Sequence, residues 1–374
     1  MVPRRPTPSS VTAWLTRSLR ADMKPLYVLT LPALMITAPA LAHHGSHTNQ
    51  LLYFADELVE LEGELTEVFW RNPHTRARLS VIDDDGAETI WELELAPGPR
   101  QFQAMGLRPE NFIGNVKVAG HVSRRKPNAL GVLYFLLPDG REYVQERGQE
   151  PRWSSERLER RLPGADPAKV QAAEAAADGI FRMWDGGRIG GAPASVEPDL
   201  LAQSLTERGR ELAAAYDPLT DNGQLNCQHG MPDTMFDPWP MEISVEGEQI
   251  RIHATQYNLQ RTIHMNGQTT QDETQASPVG YSVGRWEGDV LVVTTTHVDW
   301  PYYSNIGMPQ SDQVRYSERF SVSNDGQTLS YSITIDDPVI FTQPFTMDRT
   351  RKAAPGIEIE PFNCVPDWQD GAAG

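Results

Sequence analysis

The sequence predicts a mainly β protein: a small barrel of the OB type, then a second, antiparallel lipocalin-like barrel, joined by a short helical connector. Three observations lead there. Short segments on both sides of the chain's middle alternate apolar and polar positions, the period of a half-buried strand. "DDDG", "VEGEQI", "WEGDVL" and "SNDGQTL" put Gly beside acidic or amide residues between such segments, which is tight-turn chemistry. Between the two strand-rich stretches lies an alanine-rich interval that lacks the alternation.

Residues 1–42 read as an export signal, with translation beginning at Met23. Met23-Lys24 is a basic start, "PLYVLTLPALMITAPALA" supplies an apolar run, and Ala40-Leu41-Ala42 supplies small residues for a cut after Ala42. The run is too short and too proline-interrupted for a span, which needs about 20 apolar residues. A periplasmic or secreted protein is therefore expected, with no transmembrane segment in the mature chain. Removing 1–42 takes away five basic residues and one acidic one, so the formal charge falls from −17 to −21. Such a surface repels phosphate backbones. Nucleic acid is excluded as a partner, and a small-molecule ligand or a cation is favoured.

In the region 43–147, "LVELEGELTEVFW", "HTRARLSVID", "ETIWELEL", "NVKVAGHV" and "VLYFLLPDGREYV" read as strands, with "PRQFQAMGLRPENFI" as a short helix and loop. About five strands and one helix suit an OB-like barrel, or a compact sandwich. Residues 148–222 form the connector. One helix is expected to start at Asp166-Pro167, and Leu200, Leu201, Leu205 and Leu212 mark a second by their spacing. From 223 to 352 the strands return as a meander of about six to eight, expected to close around an internal pocket. Residues 353–374 are a tail. Cys227 and Cys364 are the two cysteines of the chain. In an oxidising compartment they can form a disulfide. Free thiols, or a metal role for Cys227 beside His229 in "CQHG", remain open.

Several of these segments carry a family likeness. "LAHHGSH", "LEGELTEVFWRNPHTRARLSV", the "WELE" strand and "GNVKVAGHV" resemble the DUF6152 family, exported bacterial proteins of unknown function, over about residues 43–145. The most specific part is Trp70-Arg71-Asn72-Pro73-His74, which fits the family's W-x-N-P-H. His43-His44-Gly45-Ser46 departs from its usual His-His-Ser start. "GMPDTMFDPWPMEI", "RTIHMNG" and "GYSVGRWEGDVLVVTTT" are similar to a second domain of exported bacterial proteins, which implies the lipocalin-style barrel. Neither resemblance implies a reaction.

Three groups of residues are candidates for chemistry. Cleavage after Ala42 would give His43 a free amine beside its imidazole, and with His74 or the neighbouring His44 this makes a nitrogen set suited to copper. The plainer reading is a polar leader. In the second half, His253, His264 and His297, with Asp299 and the phenols after it, are candidates for acid–base work of a lyase or isomerase kind. Histidines on strands more often pack or face solvent. Trp239, Arg261, Trp286, Trp300 and Tyr302 are candidates to hold a small apolar or aromatic ligand inside the barrel. Ordinary core packing is the competing role. Glu318, if buried, needs a cation, and Arg261 or Arg285 could supply it. The chain has no Gly-x-Ser-x-Gly elbow, Walker loop, dinucleotide fingerprint or zinc-protease helix, so the common hydrolase, kinase and dehydrogenase classes lose weight. A partner-docking role, with incidental histidines, is the third reading.

Overall fold

The computed structural model describes residues 52–146, 148–159, 165–186, 203–237, 239–265, 275–304 and 307–366. The expected export signal, His43 and His44 lie outside the described residues. The fold is mainly β, with two separate barrels.

The first barrel contains β1 (Val59–Phe69), β2 (Thr75–Ile82), β3 (Glu88–Leu95), β4 (Gly114–Val122) and β5 (Ala129–Leu136). β1 pairs with β2 and β4, β2 with β3, and β5 with β4, all antiparallel; a parallel pairing of β3 with β5 completes the ring. The helix Pro99–Ala104 connects β3 to β4. This is the arrangement of an OB barrel. Alternation explains the inward set: Ala77 and Leu79 on β2, Leu93 and Leu95 on β3, Val116 and Val118 on β4 are buried in one cluster. Phe102 of the helix closes that core, packing on Phe112 at 5.0 Å and on Trp70 at 5.9 Å between ring centroids. A short β6 (Glu142–Val144) extends the sheet beside β5. The buried Glu142 carboxylate accepts the backbone N–H groups of Arg152, Trp153 and Ser154 at 2.7, 2.8 and 2.9 Å, tying the outgoing chain to the barrel.

The second barrel closes through β7 (Met183–Asp185), β8 (Met241–Glu246), β9 (Gln249–Ala254), β10 (Leu259–His264), β11 (Tyr281–Glu287), β12 (Val290–Thr296), β13 (Arg315–Val322), β14 (Thr328–Asp336) and β15 (Phe345–Ala353). A closed ring with an odd number of strands cannot alternate throughout, so one pairing must be parallel. Here it is β10 with β11; the others are antiparallel. In the small barrel the β3–β5 pair has the same function. The connecting interval thus contributes a strand as well as helices. β7 lies between β15 and β8, anchored by Trp184, which is fully buried. Among the described residues the helices of this interval are Pro167–Ala176, whose cap Asp166 accepts the Ala168 N–H, and Glu207–Ala215, whose cap Thr206 accepts the Gly209 N–H. Inward residues from the whole ring, among them Ile243, Ile252, Ile263, Leu291, Phe320 and Ile333, belong to one contiguous buried cluster.

Candidate functional site

The strongest candidate lies on the small barrel, where the β1–β2 connection, β3 and the β4–β5 loop border a cleft of about 80 Å³. Strict alternation in "WELEL" produces its floor. Leu93 and Leu95 point into the core, so Glu92 and Glu94 face outward. Glu94 lies opposite Arg76 in the β2–β3 register. Its carboxylate accepts the Tyr53 hydroxyl at 2.8 Å and Arg76 at 3.4 Å, and one oxygen lies 2.7 Å from His74 Nδ1. Lys126 of the β4–β5 loop reaches Glu92 at 3.2 Å. His74 and Glu94 are each about one-fifth exposed, partly screened from water but open to the cleft.

The far wall comes from the second half of the chain: Asn222, Gln224, Leu225 and Val365 also border the cleft. Cys227 and Cys364 form a disulfide that ties these two stretches together across 137 residues. Cys364 in turn makes an isolated parallel bridge with Asn72, in the Trp70–His74 segment. The cleft is therefore composite, and the disulfide braces the wall opposite His74.

Inside the large barrel, Arg261 and Glu318 form a closed polar network. The guanidinium donates to Glu318 at 2.8 and 2.5 Å, to Ser282 at 3.0 Å and to Thr295 at 2.8 Å. Thr295 and Tyr331 donate to the same carboxylate at 2.7 and 2.9 Å. Burial pulls the Arg261 pKa down, but the charge and hydrogen bonds of Glu318 outweigh it and the net shift is upward. Of the two cations considered for Glu318, Arg261 is the one that serves it. Tyr331 and Tyr316 are driven well above the usual phenol range, chiefly by burial.

The other expected residues do not gather around this network. β9 buries Ile250, Ile252 and Ala254, which places His253 on the outer face opposite Glu242 and Gln260. On β10 the inward parity goes to Arg261 and Ile263, so His264 also faces out; it stacks on Tyr281 at 4.7 Å. His297 is exposed just after β12, bonded to the adjacent Thr296 hydroxyl at 2.8 Å. The alternation that buries Arg261 turns His264 outward, that of β9 does the same for His253, and His297 lies beyond the end of β12. Trp239 packs edge-on against Phe362, and Trp286 is 44% exposed beside Phe181. Trp300 and Tyr302 sit together at a small cavity outside the strands. Two groups escaped the sequence reading: Glu94 with Tyr53, and a buried pair of His229 with Asp237 at 2.7 Å. Glu94 was legible from strand parity. Nothing in sequence spacing pairs residue 229 with 237.

Residues 33–131 match the model of a family of unknown function, DUF6152. The matched stretch runs from before β1 into β5 and includes His74, Arg76, Glu92, Glu94 and Lys126. The cleft thus lies largely inside the matched region, while its second wall lies outside it. No curated protein matches the chain. Among the described residues, no helix is long and apolar enough to cross a membrane, and no group of three or more His, Cys, Asp or Glu is placed to hold a metal ion.

Proposed function

We propose that this is an exported binding protein whose ligand seat is the small-barrel cleft at His74, with residues 1–42 as its export signal and the periplasm or the exterior as its destination. The reading rests on one observation: Glu94 gathers Tyr53, His74 and Arg76 at the mouth between the two loops that flank an OB barrel's binding face. The volume favours a small polar ligand or an ion over a ring system. The large barrel's inward side chains already pack on one another around the Arg261–Glu318 network, so an apolar ligand there would have to displace them. Melting-temperature shifts of the exported chain against a panel of small polar compounds test the proposal. A shift that disappears in H74A and E94Q supports the cleft; one that survives both variants places the binding elsewhere.

A second reading makes the ligand a copper-type ion held by His74 and the mature N-terminal His43, with His44 as the local alternative. Its support is the Glu94 carboxylate at His74 Nδ1, because metal-bound histidines are usually oriented by a carboxylate on their other nitrogen. The chain secreted through its own signal and purified without chelator would then begin at His43 and carry about one copper, lost in H74A. A chain with that start which takes up no added copper would refute this version and leave the polar-ligand reading standing.

A further inference from the structure

A groove of about 460 Å³ lies between the helix Pro167–Ala176 and strands β7 and β8 of the large barrel. Pockets of this size hold small organic molecules. The sequence of the helix leaves the space. Pro167 and the Asp166 cap start it, and alanine makes up half of what it contains. Val170 and Ala173, three apart and so on one face, are its half-buried residues; no residue of the helix is fully buried.

The first turn is pinned. Lys169 pairs with Glu358 at 2.7 Å, and Val170 lies under Gly356, where a Cβ would stand 3.0 Å from its Cγ2. Beyond that turn Ala173, Ala176 and Ala177 border the groove. Their side chains end at Cβ and cannot fill the gap to the strands.

The lining is apolar below and acidic at the rim. Phe181, Met183, Ile243 and Val245 supply the apolar part. Val245 is 54% exposed, and Phe181 packs edge-on against the exposed Trp286, so the apolar lining continues onto open surface. On β8 the inward parity belongs to Met241 and Ile243, which turns Glu242 and Ser244 outward. Glu174 on the helix and Asp178 just after it bring two more carboxylates to the groove. All three acids are exposed, and none forms an ion pair among the described residues.

The neighbouring cations are committed elsewhere. Lys169 is held by Glu358, and Arg251, opposite Ser244 in the β8–β9 register, by Glu246. Arg182 is the one cation on the lining among the described residues. It donates to the carbonyls of Gly179 and Gly326 at 3.1 and 2.9 Å and lies over the Trp184 ring. Three carboxylates against one committed guanidinium leave the groove negative. An apolar molecule with an anionic head is repelled there, and one with a cationic head is attracted.

We propose that this groove binds a small amphiphilic cation, an alkyl or aryl ammonium. Its apolar body lies on Phe181, Met183 and Val245, and its head meets Glu242, Asp178 and Glu174. The apolar contact supplies most of the affinity and the exposed carboxylates supply the choice of charge. This seat shares no residue with the cleft at His74.

The test is titration calorimetry of the exported chain with octylammonium chloride below its aggregation threshold, with octanol and octanoate as neutral and anionic counterparts. Octylammonium should bind tightest, at one site per chain, and octanoate weakest. D178N/E242Q should cut octylammonium affinity by about twofold to fivefold per carboxylate, the range of exposed ion pairs. Added salt should shrink its lead over octanol. A173W fills the groove from the helix side and should abolish binding. If A173W does not fold, S244W on the facing strand takes its place. No binding of octylammonium, equal affinities for octylammonium and octanoate, or an unchanged affinity in the folded tryptophan variant would each overturn the proposal. A dimer that the tryptophan variant dissociates would put a second copy of the chain on the groove, and would overturn it as well.

Discussion

Arg261 and Glu318 face each other inside the large barrel, on β10 and β13, with Nη1 donating to Oε2 at 2.8 Å and Nη2 to Oε1 at 2.5 Å. Each is at most 1% exposed. Ser282, Thr295 and Tyr331 complete the donors and acceptors, so no polar atom of either side chain is left to seek water. Such a network specifies one register for the strands around it, because a slip of a single residue would turn Arg261 outward and leave Glu318 buried alone.

Removing one partner should therefore cost far more than removing both. E318A leaves a buried guanidinium without its counter-charge and should destabilise by about 3–5 kcal/mol. The double variant R261M/E318L fills the same space without charge and should recover most of that loss. Urea denaturation of the mature chain reads both. Equal losses in the single and double variants would mean that packing volume, and not the unpaired charge, sets the cost.

His229 predicts a pH dependence of stability. Its folded pKa is raised by Asp237 and Asp233, against about 6.5 when unfolded. A raised pKa means the folded state binds the proton more tightly. The stabilisation is complete below about pH 6.5 and disappears as the pH climbs through the folded value. Wild type should thus lose stability relative to D237N on going from acid to mildly alkaline pH. Denaturation midpoints of the two proteins across that window provide the check; parallel curves would show that the pair contributes no linkage.

The disulfide gives a third expectation. A bond across 137 residues restrains a long loop of the unfolded chain, which in the chain-entropy model is worth up to about 5 kcal/mol. C364S should lower stability toward that limit. It should also loosen the bridge between residue 364 and Asn72, which braces the cleft. Amide exchange at Asn72 and its neighbours should quicken more than exchange in β13 and β14. Uniform quickening throughout would mean that the bond serves global stability alone.

Strand parity and turn chemistry carried most of the architecture. Val116 and Val118 on β4, or Ile250 and Ile252 on β9, are inward because every second residue is apolar, and this is visible in the sequence. Closure was less legible. The β3–β5 pair joins strands that are not neighbours in the chain, β10 and β11 are consecutive strands that pair parallel where a hairpin would pair them antiparallel, and β7 is a three-residue strand whose claim to the barrel rests on Trp184. The site divides the same way. His74 was marked by its motif; Glu94 was not singled out, although the parity of its strand places it outward. His229 and Asp237 meet only because a short helix and Arg351 fold the intervening residues back, a tertiary fact without a periodic signature.

Gly120 tests how the small barrel closes. It sits where the β4–β5 register shifts between Ala119 and Gly120, and a Cβ there would lie 2.0 Å from the Gly131 carbonyl oxygen, a backbone atom of the partner strand. No side chain can move aside to relieve that contact, so β4 and β5 must part. G120A should cost about 1–3 kcal/mol, the range for overpacking a close contact. Because β5 also carries the parallel pairing to β3, the loss should spread to the Glu92–Leu95 segment that floors the cleft. Denaturation together with amide exchange on β3 measures both effects. If G120A were as stable as wild type, the two strands would have slack at the bulge, and the glycine would not be what allows β4 and β5 to approach there.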